Sequence, residues 1–364
     1  MKKDDLLFGL SEVCIYPKEV TNIRTRSQCN PKINGALPLF TAPMSTVVDE
    51  HSCDEYEKNG INVILPRSIE FNKRVKYIDR FFIAMGLGEA EDYCKENANY
   101  LNTLSSIKIC IDIANGHMIS MQETIRNLKR EFGNKIEIMC GNIANPVTYR
   151  YLSEAGADYI RCGIGGGSGC LTASNTGIFY PMGSLILKCR KIQKQMEMSH
   201  KLNGSPKPAK IIADGGMKNY DYIIKALYLG ADYAMCGRMF SQCWEAPGQA
   251  WKKERNESSS WQLIGEKTQK EEFRPDIYNY KKIFYGMSTK KAQAEIDKNT
   301  CKFKTSEGII KEIPIVNTID GWVENFVSYL TSAMSYTDCL TLEDIKQFEN
   351  FSLMTYAASE SYNR

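Results

Sequence analysis

The segment from Gly163 to Thr172 holds the densest group of residues whose types could carry out a reaction. It reads Gly-Ile-Gly-Gly-Gly-Ser-Gly-Cys-Leu-Thr, and its five glycines leave the backbone free to turn several N–H or C=O groups toward one bound species. Cys170 is a nucleophile if amide dipoles stabilise its thiolate, and Thr172 could then place its hydroxyl on the same reacting centre. The spacing equally allows Cys170 to be a small residue in a tight turn. No register of the segment fits G-x-G-x-x-G, so a dinucleotide-binding Rossmann motif is excluded.

Two shorter glycine motifs follow later in the chain and are typical of a phosphate site. Asp214 precedes Gly215 and Gly216, and Gly237 precedes Arg238. Glycine turns at helix N-termini expose backbone N–H groups to an anion, and arginine adds a bidentate donor. Asp214 could accept hydrogen bonds from ribose hydroxyls. Each glycine motif could also be an ordinary strand-to-helix turn, but their positions after the last two predicted strands favour phosphate binding.

Eight short apolar runs must position these residues. Most are continuous rather than alternating, as expected of parallel strands that are buried on both faces. The predicted strands are Pro38–Pro43, Asn62–Leu65, Phe81–Met85, Lys108–Ile113, Lys135–Cys140, Tyr159–Ile164, Lys210–Asp214 and Tyr233–Gly237. Eight such units predict a (β/α)8 TIM barrel of the α/β class. The competing fold, a doubly wound open sheet, normally carries its glycine-rich turn after the first strand, whereas here the densest glycine cluster follows the sixth.

The active site of such a barrel lies at the carboxyl ends of its strands. The positions there are Met44, Asp112, Asn142, Gly163–Thr172, Asp214–Gly216 and Gly237–Arg238. Acids, an amide, a cysteine and glycine turns together predict a site for a phosphorylated ligand.

The segments between the predicted strands show the periodicity of amphipathic helices. Met118, Met121, Ile125, Leu128 and Phe132 form one apolar stripe, and Leu185, Cys189, Ile192 and Met196 form another. The eighth helix is predicted at Trp322–Tyr336. The polar segments Met198–Pro208 and Lys252–Arg274 have no such stripe and are interpreted as solvated loop insertions. The second, a flap-like insertion at about 252–275, could instead be a mobile active-site flap. The whole chain, 1–364, is predicted to be one barrel domain.

Composition excludes several classes of protein. With 46 Lys and Arg against 43 Asp and Glu, the net charge is too small for a protein that depends on nucleic-acid phosphates. No apolar run is long enough to span a membrane, and the amino terminus lacks a signal sequence. The 13 cysteines are scattered without a C-x-x-C pair, and only three histidines occur, so a disulfide scaffold or zinc site is not expected. These features predict a soluble cytoplasmic protein.

Several motifs, in order along nearly the whole chain, resemble the IMP dehydrogenase/GMP reductase family. They are Asp4–Leu10 with Tyr16-Pro17-Lys18, Pro43–Val47, Cys110–Gly116 (CIDIANG), Cys140–Asn142, Gly163–Thr172, Ala213–Gly216 and Phe284–Ser288 (FYGMS). CIDIANG is close to the reductase version of the fourth strand. Ser68 to Phe81 leaves no room for the regulatory modules of typical dehydrogenases, and the Arg-Tyr flap of dehydrogenases is absent after Lys290. The resemblance therefore favours the reductase branch.

The resemblance implies a homotetrameric enzyme that reduces GMP to IMP and ammonia with NADPH. Cys170 would attack purine C2 to form a thioimidate, and Thr172 would assist at the amino group. The implied substrate-binding residues are Met44, Asn142, Ser168, Asp214, Gly215, Gly216, Gly237, Arg238, Tyr285, Gly286, Met287 and Ser288. The implied cofactor-binding residues are Asp112, Ala114, Asn115 and Gly163. A monovalent cation such as K⁺ would lie at Gly165, Gly167 and Cys170.

Four positions depart from the reductase pattern. Lys290 stands in place of a glutamate and Arg67 in place of the lysine that couples to it, so these two residues take the catalytic proton-transfer positions. Ala173 replaces an arginine, and Ser45 replaces an aspartate. An ammonium cannot replace a carboxylate that relays a proton. The substrate could therefore be a deoxynucleotide or a modified guanine nucleotide. The alternatives are an IMP dehydrogenase, which converts IMP to XMP with NAD, and a catalytically quiet nucleotide-binding barrel.

Overall fold

A computed structural model describes residues 6–255, 260–265, 270–287, 289–296 and 308–362. Its strands are β1 (Val13–Ile15), β2 (Leu39–Thr41), β3 (Ile64–Leu65), β4 (Phe82–Met85), β5 (Ile107–Asp112), β6 (Ile136–Ile143), β7 (Tyr159–Cys162), β8 (Lys210–Asp214), β9 (Tyr233–Cys236), β10 (Ala250–Glu254), β11 (Gln262–Ile264), β12 (Tyr278–Tyr285), β13 (Ile310–Ile315) and β14 (Phe351–Leu353).

Strands β2 to β9 form one parallel sheet that curls into a barrel. Their order is β2-β9-β8-β7-β6-β5-β4-β3, so each strand neighbours the next in sequence and the first pairs with the last. A parallel bridge between Phe40 and Asn62 joins the two ends of the sheet. All eight predicted strands are present, and the predicted (β/α)8 TIM barrel is confirmed.

The barrel has an inner and an outer apolar layer. Inside, the rings of Phe40, Phe82, Tyr159 and Tyr233 pack edge-to-face with centroids 5.1–5.9 Å apart. Such aromatic pairs contribute stabilisation beyond the area they bury. This packing fills the barrel below the strand ends, and the mouth at the carboxyl ends remains open.

Helices cover the outside of the barrel. They are α1 (Cys53–Lys58), α2 (Phe71–Arg74), α3 (Leu87–Glu96), α4 (Ala98–Leu101), α5 (Ile119–Phe132), α6 (Pro146–Ala155), α7 (Thr172–Thr176), α8 (Met182–Asn203), α9 (Tyr220–Tyr228), α10 (Arg238–Ser241), α11 (Lys290–Ile296), α12 (Ile319–Tyr336), α13 (Leu342–Gln347) and α14 (Tyr356–Tyr362). Within the described residues, none of the helices has the length and apolarity needed to cross a membrane.

The two predicted apolar stripes lie on α5 and α8, with one exception at the start of α5. Met118 precedes the helix as its N-cap and is exposed, whereas the other members of that stripe are buried. The interpretation of Met198–Pro208 as a loop insertion is wrong for its first half, because α8 continues to Asn203. Residues such as Met198 and Leu202 are exposed there, so these final turns follow helical geometry without an apolar face to reveal it.

An antiparallel sheet of order β11-β10-β12-β13 follows the last barrel strand. The interpretation of Lys252–Arg274 as a solvated loop insertion is therefore wrong for β10 and β11, which pair with each other at Ala250–Lys252. The sheet has its own small core of Trp244, Ala250, Tyr280 and Ile315. It is anchored on the barrel by the fully buried Lys282, which donates to the carbonyls of Thr46 (3.3 Å) and Ala246 (3.2 Å).

Candidate active site

A cavity of about 310 Å³ opens at the carboxyl ends of the barrel strands. Most of the sequence-predicted site residues line it together. They are Met44, Asp112, Ala114, Asn142, Gly163, Gly165, Gly167, Ser168, Cys170, Thr172, Asp214, Gly215, Gly216, Gly237, Arg238, Gly286 and Met287. The β/α topology accounts for this convergence, because it brings loops that are distant in sequence to one rim.

The glycine-rich segment from Gly163 to Thr172, here called the catalytic loop, is pressed against the end of β8. Gly163 has a φ of +138°, and a Cβ at this position would lie 2.1 Å from the carbonyl oxygen of Asp214. Only glycine allows this close approach in that conformation. Cys170 N donates to Gly167 O at 3.0 Å, which closes the loop into a turn beneath the cavity.

Cys170 differs from the other cysteines in its surroundings. Of the twelve cysteines that the structure describes, only Cys14 and Cys170 are not buried, and only Cys170 lines the cavity. Burial raises the pKa of Cys94 and of Cys110 to about 12, which keeps those thiols protonated and unreactive at neutral pH. The Cys170 thiol is within hydrogen-bonding distance of the Thr172 hydroxyl, with Sγ 3.3 Å from Oγ1.

A buried arginine joins two carboxylates at the base of the cavity. Arg161 forms an ion pair with Asp112 through Nη1 and with Asp214 through Nη2, the latter at 2.8 Å. Burial disfavours the charged guanidinium, but the two carboxylates outweigh it and hold the pKa of Arg161 well above its usual value. Asn142 Nδ2 also donates to Asp214 Oδ2, at 2.7 Å. Both carboxylates are thus held in fixed positions where they line the cavity.

Part of the cavity rim carries positive charge and backbone amides. Gly215, Gly216 and Gly237 lie there with Arg238, in the loops after the last two barrel strands. Lys218 also lines this rim. The buried Oγ of Ser168 has no hydrogen-bond partner among the described residues. Because a buried hydroxyl without a partner is costly, this atom is available to a ligand such as a phosphate.

Several predicted site residues lie elsewhere. Among the described residues, Arg67, Lys290, Tyr285 and Asn115 are not part of the cavity lining, and Ser288 lies outside the described residues. Arg67 forms an ion pair with Glu89 instead, with Nε 3.3 Å from Oε2. Lys290 is exposed at the start of α11.

Tyr285 and Asn115 make contacts outside the cavity. Tyr285 is buried, and its hydroxyl lies 3.5 Å from the Ser45 hydroxyl. Asn115 is exposed and bonds to the backbone and the ring of His117. The guanidinium of Arg67 shares the carboxylate of Glu89 with the buried Arg74, and the catalytic roles of Arg67 and Lys290 stay predictions.

Sequence reasoning missed Arg161 and Lys218. Arg161 is a charged residue in the middle of an apolar strand, which is itself a signal, because buried charges require partners. Lys218 follows the predicted Gly215-Gly216 turn by two residues, so extension of that motif along the loop would have included it.

The chain is similar along its length to known enzymes. The IMP dehydrogenase / GMP reductase domain family matches residues 3–363. The GMP reductase of Buchnera aphidicola subsp. Acyrthosiphon pisum (strain Tuc7) is 27% identical over 97% of this chain and 96% of its own length. The GMP reductase of Caenorhabditis elegans is 30% identical over 77% and 68%, and GMP reductase 1 of Homo sapiens is 28% identical over 75% and 69%. The chain therefore belongs to the IMP dehydrogenase/GMP reductase family of oxidoreductases.

Proposed function

We propose that this protein reduces GMP, or a closely related guanine nucleotide, to IMP and ammonia with NADPH. The observation that carries the proposal is the position of Cys170. It is the one described cysteine in the cavity, and Arg238 and the Gly215-Gly216 turn line the same cavity. A nucleotide anchored there by its phosphate could present its base to the sulfur.

The covalent step of this reaction uses residues that line the cavity. The Cys170 sulfur bonds to purine C2, the bond from C2 to the amino nitrogen breaks, and the amino group leaves as ammonia after gaining a proton. Thr172 is placed for that proton transfer because its hydroxyl lies 3.3 Å from the sulfur. Asp214, fixed by Arg161 and Asn142, is placed to accept bonds from the substrate ribose.

The cavity also has residues that fit a dinucleotide cofactor. The Asp112 carboxylate lines the cavity with 21% of its side chain exposed, and a carboxylate of this kind accepts bonds from ribose hydroxyls. Ala114 and Gly163 also line the cavity. When bound, NADPH supplies the hydride that C2 must gain before the product leaves the sulfur.

One experiment tests this function directly. NADPH absorbance is followed with GMP, dGMP, IMP and XMP in turn, and each reaction is repeated with NADH. We expect GMP or a related guanine nucleotide to consume NADPH with release of one ammonia per IMP. Cys170→Ala should abolish the reaction, whereas Cys14→Ala, which removes the other partly exposed thiol among the described cysteines, should not. Folded protein that leaves NADPH unchanged with every guanine nucleotide would refute the proposal.

A catalytically quiet nucleotide-binding barrel is the second candidate. Its support is that Arg67 is taken by Glu89 and that Lys290 is exposed outside the lining that the described residues form. Calorimetric titration with GMP separates the two candidates, because the quiet barrel predicts binding without turnover. An IMP dehydrogenase would instead form NADH from IMP and NAD in the same set of assays.

Family membership also supports a homotetramer and a cytoplasmic location, both of which stay predictions. Light scattering on the purified protein measures the first, and cell fractionation measures the second.

A further inference from the structure

Three successive carbonyl oxygens of the catalytic loop accept hydrogen bonds from within the chain. Gly167 O accepts from Cys170 N, Gly169 O accepts from Ile309 N, and Ser168 O accepts from Lys311 Nζ, each at 3.0 Å. Two of these donors belong to the segment that begins β13, in the antiparallel sheet. The loop that carries the reactive sulfur is therefore held from outside the barrel.

This arrangement does not fit the monovalent cation predicted at Gly165, Gly167 and Cys170. The ammonium of Lys311 already lies against Ser168, in the middle of that segment. Two positive charges within a few residues of one loop repel each other, so a cation bound beside Ser168 would have to overcome the repulsion from Lys311. The Gly167 carbonyl is also engaged by the Cys170 amide. The described residues thus provide a tethered, solvent-exposed cation on the Ser168 carbonyl, next to the Gly167 carbonyl that was predicted to bind a free one.

The charge of Lys311 is not neutralised by its neighbour on the strand. Glu312 forms an ion pair with Lys281 at 2.9 Å, and consecutive residues of a strand point to opposite faces. Among the described residues, no carboxylate forms an ion pair with Lys311. Lys311 therefore offers its positive charge to the Ser168 carbonyl.

The antiparallel sheet gives Lys311 a fixed position relative to the barrel. Lys311 is opposite Phe284 in the register of β13 and β12. On β12, Lys282 is anchored in the carbonyls of Thr46 and Ala246. The antiparallel sheet thus contacts the barrel through Lys282 and the catalytic loop through Lys311.

We propose that Lys311 holds the catalytic loop in place of a bound monovalent cation, so that the protein works without added K⁺. The part of this inference that concerns turnover rests on the proposed function. The part that concerns the loop does not, and it is measured separately through the reactivity of Cys170.

The test compares the wild type with Lys311→Met, Lys311→Arg and the control Lys253→Met, which removes a lysine of the same sheet. Each is studied in KCl and in tetramethylammonium chloride at equal ionic strength, because tetramethylammonium is too large for a carbonyl site. The readouts are the rate of Cys170 alkylation by iodoacetamide, read by mass spectrometry with Cys14 as internal reference, and NADPH oxidation with GMP.

For the wild type, Lys311→Arg and Lys253→Met we expect the same rates in both salts. For Lys311→Met in tetramethylammonium, Cys170 alkylation should be about threefold faster, in line with the loss of one solvent-exposed contact from a charged group. KCl should restore part of the protection, because the vacated position can then accept a free cation. Turnover should follow the same pattern.

Two results would overturn the inference: wild-type rates that depend on K⁺, or a Lys311→Met protein whose Cys170 reacts like the wild type in both salts. If Lys311→Met does not fold, the wild-type comparison and Lys311→Arg still decide the matter. Should the alkylation pattern hold while no guanine nucleotide is turned over, the proposed function fails and the assignment of Lys311 stands.

Discussion

Arg161 holds two carboxylates at the base of the cavity, and its replacement should affect stability and ligand binding together. The guanidinium has only 7% of its side chain exposed and binds Asp112 on one side and Asp214 on the other. Arg161→Gln removes the cation and leaves the two carboxylates facing each other. Loss of one partner of a buried ion pair costs about 3–5 kcal/mol. Because Asp214 keeps its bond from Asn142 at 2.7 Å, we expect the lower end, about 3 kcal/mol.

Replacement by lysine separates charge from geometry. Arg161→Lys keeps a cation but cannot make forked contacts to both carboxylates, so we expect a loss of about 2 kcal/mol, the value of one charged hydrogen bond. In both variants the two carboxylates are less well oriented, so the KM for the nucleotide and the KM for the cofactor should rise together.

Urea unfolding followed by circular dichroism measures the loss of stability, and steady-state kinetics measures the two KM values. The matched control is Arg150→Gln, which removes an exposed arginine whose contact is a hydrogen bond to Gln195 at 2.9 Å. The double variant Arg161→Gln with Asp112→Asn should recover part of the lost stability, since it removes one of the unpaired carboxylates. If Arg161→Gln unfolds like Arg150→Gln, or if neither KM changes, Arg161 does not hold these groups as inferred.

Three further changes test other parts of the structure. Lys218→Gln should raise the KM for the nucleotide about threefold at low salt with kcat unchanged, because it removes one exposed positive charge from the part of the cavity that Arg238 lines. An effect that persists in high salt would contradict this electrostatic origin. Lys282→Met should lower the free energy of unfolding by about 3 kcal/mol and speed proteolysis of the antiparallel sheet, since the Ala246 carbonyl among others loses a charged donor; an unchanged digestion rate would show that Lys282 does not anchor it. Burial raises the pKa of Asp232, but Lys346 among its partners outweighs burial and the net shift is downward. The stability from this carboxylate should therefore be complete above the unfolded-state pKa of about 3.9 and lost as the pH falls from there through the lower folded-state pKa; Asp232→Asn should flatten this pH dependence in urea unfolding, and an unchanged profile would contradict it.

The barrel was predictable from the sequence because its strands carry their own signature. A parallel strand covered on both faces must be apolar at nearly every position, and runs such as Phe82–Met85 are buried throughout. The ends of the strands were less certain. Asn62 was predicted to begin a strand that starts only at Ile64, and it instead makes the single bridge to Phe40 that joins the sheet ends.

The contacts of the predicted proton-transfer pair could not be obtained from sequence spacing. Arg67 and Lys290 are more than 200 residues apart in a chain of 364, and their positions in a motif do not reveal what lies beside them. Glu89 lies on α3, where it also accepts from the amide of Gly86 at 3.0 Å. That capping contact fixes the carboxylate at the place where it can bind Arg67. The same carboxylate also binds the buried Arg74, so one glutamate serves a helix cap and two arginines.

Buried cations explain why both Arg161 and the antiparallel sheet escaped the sequence analysis. In β12, Tyr280, Lys282 and Phe284 all face inward, but the charge in the middle conceals the alternation that would have indicated a half-buried strand. Arg161 lies in the middle of β7, which was predicted, but its role at the cavity was not. A charge in an apolar strand is tolerated only where partners surround it. Here the partners of Lys282 are backbone carbonyls, which anchor a sheet, whereas those of Arg161 are two carboxylates at a cavity. A charged residue in an otherwise apolar strand therefore indicates that polar partners surround it. Where acidic residues end the neighbouring strands, those partners are carboxylates and the charge marks a ligand site; where they do not, the charge fixes one sheet to another part of the fold.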